Sequence, residues 1–232
     1  MTIIWLFLAV LLMAAVAALV YWLVVITEGV YLGRSMVVWL YDVTAHKYDG
    51  IKEFDADAEH FFVIKPYLQH LPMHSTPLLL DVATGTGRVP FYLFAEPTFN
   101  GKVIGVDAAG KMLAVAVEKL QGQNGRFLPI QQVADQLPFS DNTFHGVSCL
   151  ESLEFFPSDK KALQEMVRVL KPGGSLMVTR RTGWEAKTFI GRFHSPEACE
   201  AMLAELGLVE VKTFPWQVDY DRVMARKPVN GR

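Results

Sequence analysis

Charge is missing from the start of this chain. Ile3 to Ile26 is a run of 24 residues without Asp, Glu, Lys or Arg. As a helix it would extend about 36 Å at roughly 1.5 Å per residue, more than the ~30 Å hydrocarbon core of a bilayer. Trp5 stands near one end, and Tyr21 and Trp22 near the other, where aromatics meet lipid headgroups. A cleavable leader needs a basic n-region and a shorter apolar core, and only Met1 and Thr2 precede this run. A buried core helix does not need such a length of uncharged residues. The run therefore reads as a single membrane anchor.

Other scarcities narrow the function. There are two cysteines, Cys149 and Cys199, in no metal-ligand or disulfide pattern. No metal site is expected, and Cys149, inside an apolar stretch, reads as a small core residue. The net charge of −2 gives no basic surplus, so a nucleic-acid partner is not expected. No internal repeat or low-complexity tract interrupts the chain. Lys and Arg are absent between Asp81 and Gly87, and Pro90 stands where a dinucleotide loop carries its third glycine. Both absences disfavour a pyrophosphate cofactor, and with it a nicotinamide-dependent reductase.

What is present begins at Leu78. Leu78, Leu79 and Leu80 lead into Asp81 and then Val-Ala-Thr-Gly85-Thr-Gly87. This pattern is a buried parallel strand ending in a tight glycine turn at a helix N-terminus. Without a Cβ, glycine lets backbone N–H groups approach a ligand closely. A second apolar strand, Lys102 to Val106, ends in Asp107, placed to accept hydrogen bonds from both ribose hydroxyls of a nucleoside. Strands then alternate with helices. Further strands are expected near 127–133, at 146–150 and at 175–179. Helices are expected near 110–121, from Ser158 to Leu170, and from Ser195-Pro196 to Gly207. Two last strands, near 209–216 and 220–226, form a hairpin. The expected fold is α/β and Rossmann-like: a seven-stranded, mostly parallel sheet with an antiparallel last strand, helices on both faces, and one preceding transmembrane helix.

Four motifs carry a family resemblance. Asp81-Val-Ala-Thr-Gly85-Thr-Gly87 resembles the first motif of class I S-adenosylmethionine-dependent methyltransferases. Val106-Asp107 is similar to their acidic ribose motif. Ala134-Asp135-Gln136-Leu-Pro138-Phe139 with Asp141 resembles the stretch whose acid reaches the adenine amino group. Leu170-Lys-Pro172-Gly173-Gly174 resembles the turn before their fifth strand. The resemblance covers residues 40–227 and is nearest to the branch of quinone, sterol and phospholipid methyltransferases. It implies S-adenosylmethionine as cofactor. The implied contacts are Asp81, Ala83, Thr84, Gly85 and Gly87 from the first loop, Asp107 and Ala108 after strand two, Asp135 and Gln136, Leu150 after strand four, and Tyr48. Tyr48 belongs to a segment, 41–49, that in this branch folds over the cofactor. A sulfonium donor has one positive charge and no phosphate, so an acidic pocket without a cationic clamp suits it.

Methyl transfer from a sulfonium needs a base only if the acceptor must lose a proton. Candidates are Glu151 and Glu154 after strand four, His46 before the core and His194 after strand five, with no choice among them. His145 reads as structural. Arg180 and Arg181 read either as a solvated pair or as contacts to an acceptor phosphate or carbonyl. Residues 35–41 are apolar with aromatics and read equally as a surface-lying or a packed helix. The expected organisation is an anchor at 1–27, a juxtamembrane helical segment at 28–75 and the cofactor domain at 76–232. Arg34, Lys47 and Lys52 against Glu28 and Asp42 give a slight positive-inside bias, which puts the catalytic domain in the cytoplasm. A tethered site favours lipophilic acceptors of quinone, phospholipid or isoprenoid type. A tethered binding protein of the same fold, without turnover, is the alternative. The sequence leaves the oligomeric state open.

Overall fold

The computed structural model describes residues 2–123 and 125–229; Met1 and residues 230–232, the outer ends of the expected first and last segments, lie outside them. Seven strands form one sheet in the order β3-β2-β1-β4-β5-β7-β6. They are β1 (Leu78–Val82), β2 (Lys102–Asp107), β3 (Phe127–Gln131), β4 (Phe144–Cys149), β5 (Leu170–Arg181), β6 (Val209–Pro215) and β7 (Tyr220–Arg226). The first five pair in parallel. Strand β7 is antiparallel to both β5 and β6, so the chain enters the hairpin from the outside and slots its last strand inward.

Among the described residues there are ten α-helices, of which all but the first lie around the sheet: α1 (Thr2–Tyr21), α2 (Arg34–Thr44), α3 (Tyr48–Lys52), α4 (Ala56–Glu59), α5 (Lys65–His70), α6 (Arg88–Ala95), α7 (Gly110–Leu120), α8 (Asp159–Val169), α9 (Gly183–Ala186) and α10 (Pro196–Glu205). Between α4 and α5 the rod widens into a π turn, His60–Ile64, one residue short of Pro66. Pro66 has no N–H for the ladder, and local widening is a common response. Ser158 and Ser195 cap α8 and α10, accepting from the N–H groups of Lys161 and Ala198. Both caps were expected from the sequence.

The core has two sides. One packs β1, β4 and β5 against α8 and α10, with Phe144, Leu163, Met166 and Leu176 fully buried. The other packs the sheet against the rod through α5 and against α6, with Ile64, Tyr67, Leu79 and Leu93 fully buried. Cys149 is completely buried, as expected of a small core residue.

Helix α1 stands apart. None of its residues is buried, and with the π turn Trp22–Ile26 it continues to a 25-residue apolar rod. Only Thr27 to Gly29 separate it from Val30, which is buried with Val37, Phe155 and Phe189. Trp22 stacks on Tyr31 at 5.0 Å. Helix α2 is packed rather than free: it lies on α7, and Val37 is buried.

Candidate functional site

The strand tips of β1, β2 and β4 end on the same edge, and the loops after them build a cleft. Between Asp81 and Arg88 the backbone turns through three left-handed residues, Ala83 (φ +53°), Gly85 (φ +55°) and Gly87 (φ +78°). The two glycines do different work. A Cβ on Gly85 would meet nothing within 4 Å. Its bareness keeps the cleft open beside the loop. A Cβ on Gly87 would sit 3.0 Å from Leu120 and 3.1 Å from Ala116. That glycine lets α6 close on α7 and does not line the cleft. Ala83 holds the same twist with a side chain, a strain tolerated mostly where function requires it.

Asp107 secures the loop from the next strand tip. Its Oδ2 accepts from Gly85 N–H and its Oδ1 from Ala109 N–H, each at 2.8 Å. Burial raises its pKa above the usual carboxylate range, and the N–H donors offset that only in part. Asp81 is 3% exposed and accepts from the hydroxyls of Thr84 and Ser148, both at 2.6 Å. Burial lifts Asp81 to about 6, against the pull of those two hydroxyls.

The cleft has two lobes that share Tyr48, Ala83, Gly85, Leu150 and Glu151. The larger, about 840 Å³ out to its open mouth, is lined by Gly85, Asp107, Ala108, Val133 and Asp135 and by an apolar wall of Val37, Val38, Tyr41, Phe155 and Phe156. The smaller lies over Asp81, Thr84 and Arg88. At the far rim Arg34 holds Asp135 with Nη2, 2.8 and 2.7 Å from its two oxygens.

Glu151 faces both lobes. Burial favours its neutral form, but the Arg88 and Lys52 cations outweigh this and hold its pKa below the usual range. Lys52 Nζ is 2.8 Å away and Arg88 Nη1 2.5 Å. Arg88 also grips Glu59 with Nε and Nη2.

The remaining candidates lie elsewhere. Gln136 and His46 are exposed and outside the lining. Glu154 is buried away from the cleft, taking the Tyr220 hydroxyl and Arg181 Nη1, and burial raises its pKa. His194 pairs with Asp159 at 2.6 Å. His145 accepts from Leu78 N–H, the structural role expected of it. Arg180 and Arg181 are not a solvated pair: Arg180 is buried on Asp221 at 2.6 Å, and Arg181 is half-buried on Glu154 and Glu185. Strand β7 lies beside them and supplies Asp221 to Arg180 and the Tyr220 hydroxyl to Arg181, whose counter-charges come from Glu154 and Glu185.

Sequence reasoning passed over the apolar wall. Its helical part, Val37, Val38 and Tyr41, has the i, i+1, i+4 spacing of one helix face. That signal was present in a stretch read as a surface-lying or a packed helix, and not as a wall of the site. Arg34 and Phe155 to Pro157 carry no signal of their own and reach the site through the fold.

A family model for a methyltransferase domain matches residues 80–178. These residues are a class I S-adenosylmethionine-dependent methyltransferase domain. The chain is 34% identical over 147 residues to a ubiquinone/menaquinone biosynthesis C-methyltransferase of Francisella tularensis, covering 62% of this chain and 59% of that protein. It is 33% identical over 148 residues to a demethylmenaquinone methyltransferase of Lactiplantibacillus plantarum, covering 60% and 59%. The match thus spans about three fifths of these relatives. Among solved structures, the [4+2]-cyclase SpnF superposes with a TM-score of 0.70 at 18% identity, over 84% of this chain and 97% of that one. An S-adenosylmethionine-dependent methyltransferase from Aquifex aeolicus gives 0.61 at 20%, over 80% and 97%. At such identities the likeness is one of fold.

The cleft fits the cofactor of this class. Its open loop at Gly85 and the buried Asp107 beside it suit a nucleoside, and the acidic edge suits a sulfonium.

Proposed function

We propose that this chain is a membrane-tethered methyltransferase that uses S-adenosylmethionine and acts on a lipophilic, quinone-type acceptor. The observation that carries this is that one cleft is lined both by Asp107 and Gly85 and by the apolar side chains of Val37, Tyr41 and Phe155. A polar nucleoside and an apolar acceptor would meet inside it. The quinone-methylating relatives support the acceptor class, and the exposed apolar α1 supports tethering.

In this reading Asp107 takes the ribose hydroxyls and Asp135 the adenine amino group, with Ala108 and Leu150 flanking the base. Ala83, Thr84 and Gly85 border the donor end, Asp81 holds Thr84 in place, and Tyr48 closes the cleft. The bound cofactor supplies a methyl group already activated on sulfur. The chain's own residues orient the acceptor and exclude water. Of the four candidate bases only Glu151 lines the cleft. Two cations keep it ionised and weakly basic, which favours a positioning role. The anchor ends at residue 27, the helical segment covers 28–75 and the cofactor domain begins at 76, on the cytoplasmic side.

The test is transfer of a labelled methyl group from S-adenosylmethionine into a membrane lipid extract by the purified full chain. Label in a quinone-containing fraction supports the reading. Saturable cofactor binding with no transfer would leave a tethered binding protein.

A further inference from the structure

Helix α2 stands between the apolar rod and the cleft. At the root of α1 the turn is stiff: Thr27 N–H bonds to Trp22 O and Gly29 N–H to Leu23 O, each at 2.9 Å. Gly29 lies against α2, where a Cβ would sit 2.7 Å from Met36 Cγ and 3.0 Å from Leu40 Cδ1. The rod itself has 25 residues, Thr2–Ile26. Its length of about 37 Å exceeds a ~30 Å hydrocarbon core. When the rod spans, its last turn reaches the headgroup layer, and α2 is packed beside that turn.

Helical spacing divides α2 into strips. Val37, Val38 and Tyr41 line the cleft. Met36 and Leu40 receive Gly29. On the other side of that pair stand Trp39 and Val43, spaced i and i+4, which do not line the cleft and are 57% and 59% exposed. Leu32, just before the helix, is exposed as well. Asp42, the acid next to this strip, is engaged by α7: it accepts from Lys111 N–H at 2.8 Å. Lys47, four residues past Val43, is exposed. An outward indole and valine followed by a cation suit a membrane interface, with the ring at headgroup level and the cation on lipid phosphate.

We infer that α2 is an interfacial helix whose outer strip, Leu32, Trp39 and Val43, lies in the headgroup layer of the bilayer that α1 crosses. The occupant of the strip is the lipid surface. This rests on the membrane-spanning reading of α1 and not on turnover. A spanning rod alone leaves the body free to swing, and a second contact fixes its orientation. Lipid then lies on one face of α2 and the cleft on another, about one helix diameter, 10 Å, apart.

Labels read this geometry directly. Both native cysteines are buried, 0% and 1% exposed, so a bimane label on an introduced cysteine is selective. The full chain carries the label at Val43→Cys, at Met13→Cys in the rod, or at Met73→Cys, exposed in the loop before β1 at the strand ends away from the cleft. Each is placed in phosphatidylcholine vesicles with nitroxides at headgroup depth or in the acyl chain. Acyl-chain nitroxide should quench position 13, and headgroup nitroxide should quench position 43 at least threefold more than position 73. Quenching at 13 with equal quenching at 43 and 73 overturns the docking and leaves the spanning rod standing. No quenching at 13 refutes the spanning rod, and the docking falls with it.

A second variant separates docking from mere nearness to the rod. Adding Trp39→Glu should bring quenching at 43 down to the level at 73, while quenching at 13 and affinity for S-adenosylmethionine stay unchanged. Quenching at 43 that ignores Trp39→Glu overturns the docking. An unquenched Val43→Cys that instead forms a disulfide-linked dimer on oxidation would assign the strip to a second copy of the chain, and likewise overturns it.

Discussion

At the scale of single residues, Asp107 has two tasks. It binds the Gly85 and Ala109 N–H groups, and in the proposed function it is also the carboxylate that the ribose meets. Charge-assisted hydrogen bonds of this kind are worth about 1.5–3 kcal/mol. Asp107→Ala should weaken S-adenosylmethionine binding by about 10- to 100-fold in a calorimetric titration, with the fold checked by circular dichroism. Unchanged affinity would remove Asp107 from the site. Arg88 is a residue of a different kind. It is buried between Glu59 and Glu151, whose side chains are 5% and 7% exposed. Removing it leaves two buried carboxylates without their shared cation, at a cost of about 3–5 kcal/mol. Urea denaturation of Arg88→Met should show that loss. Arg88→Lys should not restore it, because one ammonium cannot replace a fork that grips two acids. The His194–Asp159 pair makes a pH prediction. The hydrogen bond that His194 donates to Asp159 raises His194 above its ordinary value, and the same bond lowers Asp159. Stability from the raised histidine is complete below its unfolded pKa, near 6.5, and is lost as pH rises through the folded value. Stability from the lowered Asp159 is present above about 3.9 and is lost as pH falls below it. The thermal stability gap between the unaltered chain and His194→Ala should therefore be widest near pH 5–6 and close in alkali. Its size should stay within about 1 kcal/mol, because the pair is partly exposed.

At the scale of elements, the root of α1 depends on Gly29. Its φ is +75°, and a Cβ there would lie 2.7 Å from Met36 Cγ. Strain and contact together should make Gly29→Ala cost about 1–3 kcal/mol. The loss should appear as a lower melting temperature together with altered Trp22 emission, because the Trp22–Tyr31 stack sits on this turn. An unchanged melting temperature would show that α2 adapts to the added methyl. Elements of this protein differ in how openly the sequence announces them. Strands β1 and β2 are apolar runs ending in an acid, and both matched expectation to within one residue. Helices α8 and α10 were bounded by Ser caps whose oxygens do accept the first-turn N–H groups. Strand β5 was expected at 175–179 and runs from Leu170 to Arg181. Its extra length comes from pairing with β4 before the Gly173-Gly174 turn and with β7 after Thr179. Such partners are invisible in a local window. The same holds for the site. Asp81, Gly85 and Asp107 sit in motifs a few residues long. Arg34 reaches Asp135 across 101 positions, and Arg88 reaches Glu151 across 63. No periodicity encodes those pairings.

At the scale of the molecule, the chain divides into an apolar rod and a packed α/β body joined by a stiff turn. No residue of Thr2–Tyr21 is buried by the body. Among the described residues no packing covers its apolar surface, which is what the proposed tethering would use. Two arginines near the rod's centre, Leu12→Arg with Val16→Arg, would oppose insertion by about 5–7 kcal/mol, from roughly 2.5–3.5 kcal/mol each. The unaltered chain should stay in the membrane pellet after alkaline carbonate extraction, and the double variant should be released to a greater extent. Because the rod shares no buried contact with the cleft, the detergent-solubilised variant should bind S-adenosylmethionine with unchanged affinity. Release of the unaltered chain by carbonate would refute a spanning helix. A variant that is released and binds cofactor normally would separate the two tasks physically: the rod sets where the site works, and the sheet edge sets what it can bind.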